Sequence, residues 1–192
     1  MILLLCLAAW QSTSGLYIYA KAELAQILIS QAWHQTLEKQ ALNPNTRHSS
    51  TQIQPWAWAD TWPVARLVFP GSEKELMVLS GASGRVLAFG PGYLQSSAYP
   101  GKSGNTVIVG HRDTHFSLLR DLQPGQFIVL ETLDGSKVNY QVIETLILDE
   151  SQTGILSETD TMVLTLITCY PFDAIVPGGR LRYAVIAEPA WL

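Results

Sequence analysis

The pattern of apolar and polar positions divides the chain into three stretches. Residues 1–20 carry no charge: ILLLCLAAW is continuously apolar, QSTSG is a polar interruption, and LYIYA resumes the apolar run. About 20 uncharged residues suffice to cross a bilayer as a helix. Ser and Thr are accommodated there by bonding back to their own helix, and tyrosines such as Tyr17 and Tyr19 suit the interface. The pattern predicts an N-terminal membrane-anchor helix over residues 1–20. A cleaved signal peptide competes, because Ala20-Lys21-Ala22 is an A-x-A-like site, but a basic start is missing. The missing basic start also fits an N-terminus further upstream. A lipoprotein signal at Cys6 is opposed by the bulky Leu5 before it.

Between Lys21 and Gln40, Leu24, Leu28 and Ala32 recur at four-residue spacing, followed less tightly by Gln35 and Lys39. This period predicts a helix that continues the anchor. Residues 43–55, NPNTRHSSTQIQP, are polar and Pro-bounded, and read as a linker. The expected organisation is an anchor at 1–20, a juxtamembrane helix and linker at 21–55, and one domain at 56–192.

Within that domain the apolar runs become short and rich in β-branched residues: VARLVF, LMVLSG, RVLAFG, NTVIVGH, QFIVLET, KVNYQVIETLIL, TMVLTLITC and LRYAVIAE. FPGSEKE, LQPGQ, LDGSK and PGGR punctuate them. LDGS between IVLET and KVNYQV is a hairpin signal. Many short strands at regular spacing predict an all-β barrel or sandwich. No repeat of solenoid period occurs, and no Gly-rich loop follows a strand and opens a helix, so a nucleotide site has no support.

Composition narrows the reading. The chain has 192 residues, 47% of them apolar, which is enough to build a sizeable core. Net charge is -4 with no Lys/Arg cluster, so nucleic acid is not an expected partner. The two cysteines, Cys6 and Cys169, do not make a disulfide framework. An unpaired thiol in an exported protein points to chemical use.

Candidate chemistry lies at strand ends. His111 directly follows NTVIVG, Cys169 ends VLTLITC, and Arg180 and Arg182 open LRYAVIAE. Alone, each has an ordinary role: a capping histidine, a core cysteine, a solvated arginine. Neighbouring strands of a barrel can bring their ends to one mouth, where pockets form. There a thiolate can attack an amide carbonyl, while an imidazole activates the thiol or protonates the leaving amine. A guanidinium, always charged, can stabilise the oxyanion. Asp113 is the candidate orienter of His111. Zinc on His111, Asp113, His115 and Cys169 is the chemical rival. The H-x-D-x-H spacing matches no common zinc signature, and no acidic loop supports calcium. Neither metal nor cofactor is expected.

The blocks GNTVIVGHRDTHF and TLITC, with an arginine opening the last strand, resemble the sortases, cysteine transpeptidases of bacterial cell envelopes. The family's TLxTC pattern is met by Thr165 to Cys169, and the resemblance runs from about Trp56 to Glu188. PWAWADTWPVARL and GHRDTHF look most like the class found in Gram-negative proteobacteria. The resemblance implies a closed β-barrel of about eight strands with short helices and a site at its edge. It makes His111 the catalytic histidine, Cys169 the nucleophile and Arg182 the catalytic arginine, with Arg180 as the alternative. Thr168 is expected to touch substrate, and His115 to cap or pack rather than to join the triad.

The implied reaction cleaves a C-terminal, LPxTG-like sorting motif of a target protein and passes the acyl group to an amine acceptor. The resemblance also implies a single-pass protein of the inner membrane with its domain facing the periplasm. Two other readings compete. An L,D-transpeptidase also pairs His and Cys on a β-rich domain, but its Ser-His-Gly-Cys type motif is absent. A membrane-tethered binding module would bury Cys169 as an inert thiol.

Overall fold

The computed structural model describes residues 2–42, 52–176 and 178–190, with side chains of the first helix from residue 20 onward. One helix, α1 (Ile2–Leu42), precedes the strands β1 (Pro63–Phe69) and β2 (Lys74–Ser80), a short helix α2 (Gly84–Leu87), and β3 (Gly92–Tyr93). Then follow β4 (Asn105–Val109), β5 (Phe127–Thr132), β6 (Lys137–Asp149), β7 (Val163–Cys169) and β8 (Leu181–Pro189). The eight strands close into a barrel in the order β1-β2-β3-β4-β7-β8-β6-β5, with β5 returning to β1. The expected eight-stranded closed barrel is present, and the sandwich alternative is not.

Strand alternation builds the interior. Val64, Leu67, Phe69, Ile108, Ile128, Leu130, Leu164, Leu166 and Val185 lie in one buried cluster. On β7, Leu164 and Leu166 face this core, so Thr165, Ile167 and Cys169 take the opposite, outer face. The Leu133–Ser136 turn joins β5 to β6 as the sequence predicts. Gly135 supplies a φ of 78°, and Asp134 accepts from the Ser136 backbone N–H at 3.1 Å.

Two local expectations are corrected. RVLAFG, predicted as a strand, begins in α2. Ser83 caps that helix by accepting from the Val86 N–H at 3.3 Å, and the strand that follows is only two residues long. The buried stripe of α1 is also displaced by one residue. Ala25, Ile29, Ala32, Trp33, Thr36 and Gln40 are buried, whereas Leu24 is 54% exposed. Both stripes are apolar over their first turns, so periodicity alone cannot choose between them. Burying Ile29 and Trp33, both fully covered, decides the rotation.

Residues 25–40 of α1 are therefore part of the folded unit. Ile29 packs with Leu79 and Val86, against Trp56, Met77 and Phe89. Gln26 donates to the Phe89 carbonyl at 2.7 Å. The predicted anchor side chains, residues 1–19, and most of the predicted linker, residues 43–51, lie outside the described residues. Among the described residues no helix is long and apolar enough to cross a membrane.

Candidate active site

The barrel topology explains how residues 58 apart in sequence meet. β4 and β7 run parallel, with Val109 opposite Ile167 at the last paired position. Just beyond it, Gly110 donates its N–H to the Ile167 carbonyl at 3.1 Å. The Thr168 hydroxyl donates back to the Gly110 carbonyl at 2.7 Å. These links place His111 and Cys169 side by side at the same end of adjacent strands. Ile108 faces the core, so Val109 and His111 share the outer face with Ile167 and Cys169. His111 is exposed and Cys169 half-buried as a free thiol.

β8 completes the set. Cys169 pairs directly with Arg182 across the antiparallel β7–β8 ladder. Tyr170 donates to the Leu181 carbonyl at 3.0 Å, one residue beyond on each strand. Cys169 and Arg182 are therefore a non-hydrogen-bonded pair, the kind whose side chains stand closest. The Arg182 guanidinium donates to the Gly179 carbonyl at 2.6 Å and to Glu150 Oε2 at 2.8 Å. Arg180, the alternative, is 71% exposed and bonds Asp149 at 3.2 Å. It precedes the β7–β8 ladder and has no partner on β7 in that register.

A groove of about 270 Å³ runs from this corner along the outer face. Val109, Ile167 and Ala184 form its floor, Leu94 and Leu156 its sides, and Arg182 its end. It is mostly apolar, and its acidic groups Asp149 and Glu150 are already paired with Arg180 and Arg182.

Other predicted residues take different positions. Thr168 is buried on the core side of β7, and its hydroxyl is spent on Gly110. Asp113 accepts from Arg112 Nε at 3.1 Å. His115 is half-buried, and its imidazole is held below the usual histidine value by burial, then by the nearby His111. Among the described residues no group of three or more His, Cys, Asp or Glu could hold a metal ion.

Residues 67–190 match the family profile of the sortase domain. The chain belongs to the sortase family. It is 33% identical over 125 residues to a sortase D of Bacillus subtilis (strain 168), a match covering 64% of this chain and 61% of that protein. The chain thus spans less than two thirds of that relative. Among solved structures it resembles the catalytic domain of a B. anthracis sortase, at 32% identity and a TM-score of 0.58, over 67% of this chain and 88% of that one. A Clostridium perfringens sortase D5 transpeptidase shares the fold, at 24% identity and a TM-score of 0.62, over 84% of this chain and 99% of that one.

Two further residues at this candidate site carry no expectation from the sequence. Glu150 carries no motif and meets Arg182 only because β6 and β8 pair through Leu148 and Arg182. Arg112, beside the histidine, reads as a surface charge but is buried. Its own signal was present in GHRD: an arginine wedged between a site histidine and a carboxylate.

Proposed function

We propose that this sortase is a cysteine transpeptidase acting on a C-terminal sorting motif of a target protein. The observation that carries the reading is the direct pairing of Cys169 with Arg182, with His111 delivered to the same face by the parallel β4–β7 pair. The Cys169 sulfur attacks the carbonyl carbon of the scissile peptide bond. The Arg182 guanidinium, within reach from the opposed position, stabilises the oxyanion. The C–N bond breaks, and the His111 imidazolium gives its proton to the leaving amine. A thioester remains on Cys169. An amine acceptor then attacks it, loses its proton to His111, and releases the thiolate.

The apolar floor of Val109, Ile167 and Ala184 suits the small and aliphatic side chains that precede the cleaved bond in an LPxTG-like motif. Thr168 supports the site from below, by fixing Gly110. The uncharged residues 1–20 support a single-pass tether in the inner membrane, with the barrel on the periplasmic side. Within the family, PWAWADTWPVARL and GHRDTHF support the proteobacterial class, while the Bacillus subtilis and Clostridium perfringens relatives carry the names sortase D and sortase D5. The class therefore rests on those two blocks.

Peptides ending in LPxTG-like motifs, incubated with the full chain in detergent and an added amine, test the reading. Cleavage and ligation lost in Cys169→Ala and His111→Ala are expected. An uncleaved library, with Cys169 labelled only after unfolding, would leave an inert binding module.

A further inference from the structure

Arg112 is 6% exposed. A guanidinium cannot shed its charge, so it is buried only where acceptors meet it. All three of its acceptors are identifiable. Nε donates to Asp113 Oδ1 at 3.1 Å, Nη1 to the Pro171 carbonyl at 2.8 Å, and Nη2 to the Ala174 carbonyl at 2.9 Å. The last two lie on the segment that leaves Cys169. The outer part of that segment has little cover, with Ile175 97% and Val176 76% exposed.

The position of these bonds matters more than their number. Gly110, just before His111, is bonded to Ile167 and Thr168, just before Cys169. Arg112, just after His111, is bonded to Pro171 and Ala174, just after Cys169. Each reactive residue is thus bracketed by cross-links to the segment carrying the other. The first bracket joins backbone pairing to the Thr168 hydroxyl bond. The second depends on one side chain.

We propose that Arg112 is a positioning residue that locks the segment after Cys169 to the segment after His111, and so sets the placement of the thiol relative to the imidazole. This rests on the transpeptidase reading above. Acyl transfer is sensitive to shifts of about 1 Å in such a pair. The planar fork reaches two carbonyls and a carboxylate at once; a lysine ammonium is a point charge and holds fewer of them.

The test compares the full chain with Arg112→Lys and Arg112→Gln in detergent. Two readouts are taken: single-turnover thioacyl formation with a peptide that acylates the unaltered protein, and the pH profile of Cys169 alkylation by iodoacetamide. At saturating peptide the rate is expected to fall roughly tenfold in Arg112→Lys and roughly a hundredfold in Arg112→Gln. The half-saturating peptide concentration should move less than about threefold, because Arg112 does not touch the peptide. The alkylation profile should be displaced in both variants.

An unchanged saturated rate and a superimposable profile, whatever the melting temperature, would overturn the proposal and leave a structural brace. A raised half-saturating concentration with the saturated rate intact would also overturn it, making the segment a substrate wall. If Arg112→Gln does not fold, Arg112→Lys decides. If no peptide acylates the unaltered protein, the transpeptidase reading fails, while the alkylation profiles still test the positioning.

Discussion

Cys169 and Arg182 oppose each other across β7 and β8 as a non-hydrogen-bonded pair, whereas Arg180 lies beyond the ladder on Asp149. Register, not proximity in sequence, separates the two arginines. Arg182 stands opposite Cys169 on the neighbouring strand, and its guanidinium is held by Glu150 and the Gly179 carbonyl. Arg180 makes exposed ion pairs, which contribute little.

Replacing the two arginines should therefore have unequal effects. Arg182→Ala is expected to slow thioacyl formation by roughly 10²–10³, the usual loss of one oxyanion donor. Arg182→Lys should recover only part of it. Arg180→Ala should stay within about threefold of the unaltered protein, since exposed ion pairs are weak. Single-turnover kinetics on the three variants decide; an equal loss in Arg180→Ala would contradict the assignment.

Thr168 carries a different test. Its buried hydroxyl holds the Gly110 carbonyl at 2.7 Å. Thr168→Val leaves that carbonyl without its partner and should cost about 1–3 kcal/mol. Thr168→Ser keeps the donor and should cost less. Chemical denaturation of both variants checks this. A Thr168→Val protein as stable as the original would mean that the bond contributes nothing.

How legible the site was depended on the kind of link. The barrel was readable because β-branched runs and turn residues recur along the whole domain. His111 and Cys169 were readable because each ends an apolar run. The preference for Arg182 over Arg180 came from the family resemblance, and the β7–β8 register, which local pattern does not contain, sets Arg182 and not Arg180 opposite Cys169. Thr168 shows the same limit: its neighbour in sequence is Cys169, but alternation sends its side chain to the other face. Glu150 meets Arg182 through a contact across the fold that no local spacing reveals, whereas Arg112 stands beside His111 in GHRD but its burial depends on the segment after Cys169. RVLAFG misled because its apolar run is short enough to begin as a capped helical turn.

Gly110 is small for a steric reason. A Cβ there would sit 2.8 Å from the ring of Phe116, which is fully buried. Gly110→Ala should cost roughly 1–3 kcal/mol by overpacking. It should also displace His111, the next residue. Thermal unfolding and Cys169 alkylation, measured together, test both halves. A fully stable Gly110→Ala protein would show that Phe116 yields without cost.

The β5–β6 turn provides a pH signature away from the site. Hydrogen bonds from the Ser136 hydroxyl, then from the Thr132 hydroxyl, hold the Asp134 carboxyl down at about 2, from an ordinary 3.8. A depressed carboxylate value stabilises the fold above the ordinary value, and this contribution disappears as pH falls through the lowered one. Asp134→Ala should lose about 1 kcal/mol near neutrality, the scale of one or two exposed-turn hydrogen bonds. The gap from the unaltered protein should close between about pH 4 and pH 2. Denaturation curves across that range check it; a gap that stays constant to pH 2 would contradict the assignment.

The central claim is that Cys169 forms an acyl-enzyme. Intact mass spectrometry of the full chain, incubated with a library of LPxTG-like peptides with and without hydroxylamine, tests it most directly. A mass adduct on Cys169 is expected, one that hydroxylamine releases as a hydroxamate and that Cys169→Ala never forms. A folded protein whose Cys169 accepts neither peptide nor alkylating reagent would contradict it.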